Sequence, residues 1–166
     1  MSEQRFSRRD FFRATRKTPT PEVVRPPWTT PVSLGNCISC ADCAAACPEN
    51  IIAIGSDGLP FVSFDETGCT FCGECATACS KDVFQTSQTA WQTVLSVSDS
   101  CLLARDVTCQ ICTDFCDTDA LRFDLGKRPV GGLRLDPDAC TGCGFCVGAC
   151  PAQAITLSPQ MTEVAA

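Results

Sequence analysis

A chain of 166 residues has room for one ordinary domain or two small ones, and each half would bury too little apolar surface to stand without a staple. Sixteen cysteines and no histidine offer that staple and exclude Ser/His/Asp catalysis. No apolar run approaches the roughly 18 residues of a bilayer span, and a net charge of −6, split into +4 on residues 1–30 and −10 on the remainder, makes nucleic acid a poor partner for the body.

The chain opens on SRRDFFRATRK, residues 7–17, which has the lettering of a twin-arginine export signal. Such a signal needs an apolar h-region after the arginines. The residues after Arg13, ATRKTPTPEVVRPPWTTP, are charged and proline-rich, so the chain is expected to stay in the cytoplasm. A local reading fits better. Ser7 and Asp10 make a capping box, Phe6 and Phe11 take the staple positions, and Arg8, Arg9, Arg13, Arg16 and Lys17 line the helix begun there. Alone, so short a helix is marginal; it would form against an acidic partner or the chain's own acidic body. A solvated tail is the plainer alternative. Residues 1–34 form this basic N-terminal arm, with Arg8, Arg9 and Arg13 as candidate partner-binding residues.

Four cysteine quartets come after the arm. The first is Cys37, Cys40, Cys43 and Cys47; the second is Cys69, Cys72, Cys75 and Cys79. The third, Cys101, Cys109, Cys112 and Cys116, has its first gap stretched to seven residues. The fourth is Cys140, Cys143, Cys146 and Cys150. The spacing C-x2-C-x2-C-x3-C is that of bacterial ferredoxins, where three thiolates hold one [4Fe–4S] cluster and the fourth reaches the neighbouring one. Alanines and glycines fill the gaps, so that backbone N–H groups can close on the cluster. A disulfide scaffold would not repeat such a spacing four times, and zinc asks for cysteine pairs rather than a triple plus one.

Between the quartets the layout repeats. After Cys47, PENIIAIGSDGLPFVSFDETGC reads as strand, turn and strand; after Cys116, DTDALRFDLGKRPVGGLRLDPDAC reads the same way. The fold class is therefore α+β, two tandem bacterial-type 2[4Fe–4S] ferredoxin modules with short helices and β-hairpins. The modules are placed at residues 35–98 and 99–158, with a tail at 159–166. Ile51, Ile52, Ile54, Phe61, Val62 and Phe64 are expected in the first core. Leu121, Phe123, Leu133, Leu135, Ile155 and Leu157 are expected in the second. Cores this small cannot offset the entropy of folding, so the metal-free chain should be largely unfolded.

Sequential pairing of the quartets gives cluster A from Cys37, Cys40, Cys43 and Cys79, and cluster B from Cys69, Cys72, Cys75 and Cys47. Cluster C takes Cys101, Cys109, Cys112 and Cys150; cluster D takes Cys140, Cys143, Cys146 and Cys116. Nested pairing, motif one with four and two with three, is the rival, since residues 80–100 also hold a strand-like run, WQTVLSV. Motif three is set apart by bulky, acidic inserts: Asp106, Asp114, Asp117 and Asp119 are expected to crowd its site, the equal alternative being a local loop with no special role. Sixteen thiolates and four cores at about +2 each would bring the loaded chain to about −14, against which the basic arm could fold as a gate.

With the stretched third motif, the Arg8–Arg9 pair and RPPW at Arg25–Trp28 before motif one, the chain resembles the NapF family, accessory ferredoxins of the periplasmic nitrate reductase system. The resemblance runs from Ser7 to about Leu157. It implies a cytoplasmic protein without catalysis of its own. Such a protein binds the nitrate reductase catalytic subunit in its apo form before export and assists maturation of that subunit's [4Fe–4S] cluster. The alternatives are an electron-transfer ferredoxin and an electron-input subunit of a respiratory oxidoreductase.

Overall fold

The computed structural model describes residues 23–160. The expectations for Phe6, Ser7, Arg8, Arg9, Asp10, Phe11, Arg13, Arg16 and Lys17 lie outside the described residues. The described elements are short, none longer than five residues. In chain order they are α1 (Pro31–Leu34), α2 (Asp42–Ala45), β1 (Ile52–Ile54), β2 (Pro60–Val62), α3 (Glu74–Ala78) and β3 (Thr93–Val97). A 3-10 turn at Leu102–Arg105 precedes α4 (Ile111–Asp114), β4 (Leu121–Asp124), β5 (Gly132–Leu135), α5 (Phe145–Gly148) and β6 (Ile155–Pro159). No described helix is long and apolar enough to cross a membrane.

Both expected hairpins form. β1 and β2 pair antiparallel with Ile52 opposite Val62; β4 and β5 pair with Leu121 opposite Leu135. The run WQTVLSV supplies β3, which pairs antiparallel with β6, Leu95 opposite Leu157. β3 stands on the first-module side of the expected boundary at residues 98 and 99, and its partner belongs to the second. Helix α2 packs on α3, and α4 on α5, so motif one meets motif two and motif three meets motif four.

Two small cores result. The first gathers Val24, Ile51, Ile52, Val62 and Phe64 around Cys43 and Cys75; the second gathers Leu95, Leu121 and Ile155 around Cys146. Ile54, Phe61, Phe123, Leu133 and Leu157 are only half-buried. Leu135 is exposed, although Leu121, opposite it in the ladder, is buried. Val147 and Leu157 pack against both cores and join them.

The RPPW stretch is a strap across the first module. Arg25 donates to the Pro60 carbonyl (3.1 Å) and pairs with Asp57 (2.6 Å). Trp91 Nε1 donates to the Arg25 carbonyl (2.7 Å), the Trp28 N–H donates to Ala90 (2.7 Å), and the Gln85 N–H returns to the Trp28 carbonyl (2.8 Å). Pro26 and Pro27 have neither a spare N–H nor an exposed ring, which suits a segment laid flat on a core.

Candidate metal centres

Each motif is one turn of backbone wrapped round a hollow. In motifs one, two and four the residue before the helix is left-handed (Ala41 φ 66°, Gly73 φ 80°, Gly144 φ 86°), and so is the residue before the second cysteine (Ser39, Phe71, Gly142). These reversals turn successive N–H groups and thiols to the same side. The third cysteine then sits inside the short helix, and the fourth comes at or just beyond its end. Three residues after each fourth cysteine the chain is left-handed again, at Asn50, Asp82, Asp119 and Gln153. Motif three keeps this last reversal and lacks the first two: Gln110 has φ −134°. Its seven-residue gap makes the turn instead.

The sixteen thiols are free, and they line four cavities. Cys37, Cys40, Cys43 and Cys79 line the first, with Ile54, Pro60 and Val83. Cys47, Cys69, Cys72 and Cys75 line the second, with Trp28, Ile51 and Ile52. Cys116, Cys140, Cys143 and Cys146 line the third, with Leu95, Leu121 and Leu157. Cys101, Cys109, Cys112 and Cys150 line the fourth, with Leu102, Leu103 and Ile155. The free space in these hollows is about 320–370 Å³, mouths included. Among the described residues no three His, Cys, Asp or Glu side chains are gathered tightly enough to hold a single metal ion.

Burial governs the thiols. It pushes Cys75 and Cys146 up to about 12 and Cys69 and Cys112 up to about 11, with neighbouring thiols adding to the rise. Cys43 and Cys140 rise for the same reason. Such thiols stay protonated at neutral pH unless a cation claims them, and metal binding deprotonates them outright. Backbone donors already point at the sulfurs: Phe71 N–H at Cys69 (3.3 Å), Leu121 N–H at Cys116 (3.3 Å) and Ala154 N–H at Cys150 (3.4 Å). Soft sulfur donors with N–H groups aimed at them fit iron–sulfur chemistry.

The acidic residues of motif three do not fit the expectation made for them. Asp106, Asp114, Asp117 and Asp119 are exposed, and none lines the cavity of Cys101 and Cys109. Asp106 caps the 3-10 turn in a left-handed conformation, and Asp119 occupies the reversal after Cys116 and faces Arg122 at 3.7 Å. The insert walls its cavity with Leu102 and Leu103 instead.

A family profile described as a 4Fe-4S dicluster domain matches residues 36–83 and again 107–155. The ferredoxin-type protein NapF of Haemophilus influenzae is 41% identical over 138 residues, covering 81% of this chain and 78% of that protein. The chain belongs to the NapF family. NapF of Escherichia coli K12 is 37% identical over 136 residues, covering 80% and 83%. The methylamine utilization ferredoxin-type protein MauM of Methylorubrum extorquens is 29% identical over 150 residues, covering 78% and 68%. The second dicluster match begins at Val107, beyond Cys101, so the long first gap is where this member of the NapF family leaves the general pattern. The chain is an iron–sulfur protein of ferredoxin type with two dicluster regions.

Sequence reasoning assigned no work to the RPPW strap, although Pro27 and Trp28 wall the cavity of Cys69. The paired prolines beside a tryptophan were the available signal. It also missed that motif two touches motif four, which no local spacing announces.

Proposed function

We propose that this chain holds four [4Fe–4S] clusters, one per cavity, with ligands Cys37, Cys40, Cys43 and Cys79; Cys69, Cys72, Cys75 and Cys47; Cys101, Cys109, Cys112 and Cys150; and Cys140, Cys143, Cys146 and Cys116. The observation that carries this is the lining of each hollow by three thiols of one motif and the fourth thiol of another. β3 is proposed to belong to the second module, which then begins near Thr93. The chain acts in the cytoplasm on the apo form of the periplasmic nitrate reductase catalytic subunit before export, assisting maturation of that subunit's [4Fe–4S] cluster. Membership of the NapF family supports this, and the basic side chains Arg8, Arg9 and Arg13 are its candidate contacts.

The test is anaerobic transfer. The chain is loaded with radioactive iron, mixed with the cluster-free catalytic subunit, separated and counted. Iron recovered on the catalytic subunit despite a free chelator is the expected result. Iron retained here while the catalytic subunit becomes reduced would overturn cluster donation and favour the second reading, an electron carrier, which the contact between motifs two and four supports. Deleting residues 1–22, which spares the RPPW strap, should abolish complex formation; unchanged binding would remove the arm from the proposal.

A further inference from the structure

Along the sequence the quartets run one, two, three, four. In space the chain runs differently. The Cys69 N–H donates to the Cys143 carbonyl at 2.7 Å. Cys69 lines the second cavity and Cys143 the third. A hydrogen bond thus joins the backbones of two residues whose thiols face two different cavities. The other two cavities are lined only by residues 37–84 and 97–155 respectively, each within one end of the chain.

The approach depends on glycines. A Cβ on Gly68 would stand 2.6 Å from the Phe145 nitrogen and 2.7 Å from the Cys143 oxygen, backbone atoms that cannot swing aside. A Cβ on Gly144 would stand 2.2 Å from the Phe64 Cδ1, far inside contact distance of the ring. Trp91, stacked edge-on with Phe64 (5.8 Å) and Phe71 (5.6 Å), fills the same junction from the side.

We propose, resting on the four-cluster reading above, that the clusters lie in the order A, B, D, C, and that among the described residues B and D are the one neighbouring pair between modules. Gly68 and Gly144 are positioning residues for that pair. Clusters held in these quartets would supply one-electron transfer, and passage between the modules, in either direction, would run between the quartets of Cys69 and Cys143. In that crossing one electron leaves a reduced cluster and reduces its oxidised neighbour, and no bond is made or broken. The stretched motif three therefore surrounds a terminal cluster. The exposed side chain of Ile111 lines that terminal cavity, beside an exit rather than a mid-point.

The test uses the full chain, reduced anaerobically with dithionite. Cys40→Ser with Cys109→Ser removes A and C and leaves B with D. Cys40→Ser with Cys143→Ser leaves B with C. Iron content checks the occupancy of each variant and so tests the four-cluster reading separately. Electron paramagnetic resonance of the first variant should show dipolar splitting between the two remaining clusters, and the second should not. Adding Gly68→Ala to the first should shrink the splitting with iron content unchanged. Equal splitting in both double variants, or splitting indifferent to Gly68→Ala, would overturn the order. Should the double variants fail to hold iron, hydrogen exchange of the fully loaded native chain decides: the Cys69 amide should be protected, and exchange as fast as in an open loop overturns the contact.

Discussion

Leu121 and Leu135 face each other across one position of the β4–β5 ladder, yet Leu121 is 1% exposed and Leu135 38%. Cβ direction alone does not separate them; what lies above the sheet does. Leu121 closes the third cavity, and its N–H donates to the Cys116 sulfur (3.3 Å). Leu121→Ala should therefore cost the loaded chain about 2–5 kcal/mol, and Leu135→Ala far less, as read from thermal unfolding of both variants. The cysteines allow a sharper count. If Cys79 and Cys40 hold one cluster, Cys79→Ser and the double variant with Cys40→Ser should lose the same share of iron, about a quarter. Cys79→Ser with Cys72→Ser should lose about half. Iron and sulfide assays separate the two. At this scale the thiols were legible because their spacing is local, whereas the burial of Leu135 was misread because strand alternation gives the face a side chain is on and not how far the cover over that face extends.

The elements are too short to be stable as elements. Helices of four or five residues have no propensity to speak of, and two-stranded ladders are marginal in water. They persist because the ends are tied, and the RPPW strap is the plainest tie. Trp91→Phe keeps the ring in the aromatic cluster and deletes the donor to the Arg25 carbonyl, which should destabilise by about 1–3 kcal/mol, measured by thermal melting of the loaded chain. The Arg25–Asp57 pair adds a pH dependence. The Arg25 hydrogen bond and the Leu59 N–H hold the Asp57 carboxyl below its ordinary value. The pair is thus complete above the usual carboxylate range and is lost as pH falls through the depressed value. Hydrogen exchange at the Val62 amide, which donates to the Val24 carbonyl (2.8 Å), should quicken below that point. Asp57→Asn should abolish this step in the profile. Both hairpins were legible from turn residues between apolar runs. The partner of β3 was not, since it lies some sixty residues away in sequence.

At the scale of the whole molecule, two slender cores are built largely on residues that also wall the cavities: Ile51 and Ile52 at one, Leu95, Leu121 and Leu157 at another. Taking the metal away removes the centre round which each wall is packed and leaves acidic chain with little buried apolar surface. Stripping iron with a chelator under reducing, anaerobic conditions should collapse the far-ultraviolet circular dichroism and the dispersion of amide proton resonances. Retention of both would mean that the cores suffice alone.

The sequence by itself determined the chemistry: sixteen thiols in four quartets, three of them at ferredoxin spacing, no histidine, two repeated units and the family they belong to, because ligand spacing and turn residues act over a few positions of chain. Only the tertiary structure decided which fourth cysteine faces which cavity, that β3 closes on β6, that motif two lies against motif four, and that the acids of motif three stand outside its cavity. Those outcomes depend on contacts between segments far apart in sequence, and on the room left by a missing Cβ at Gly68 and Gly144, which no local pattern encodes.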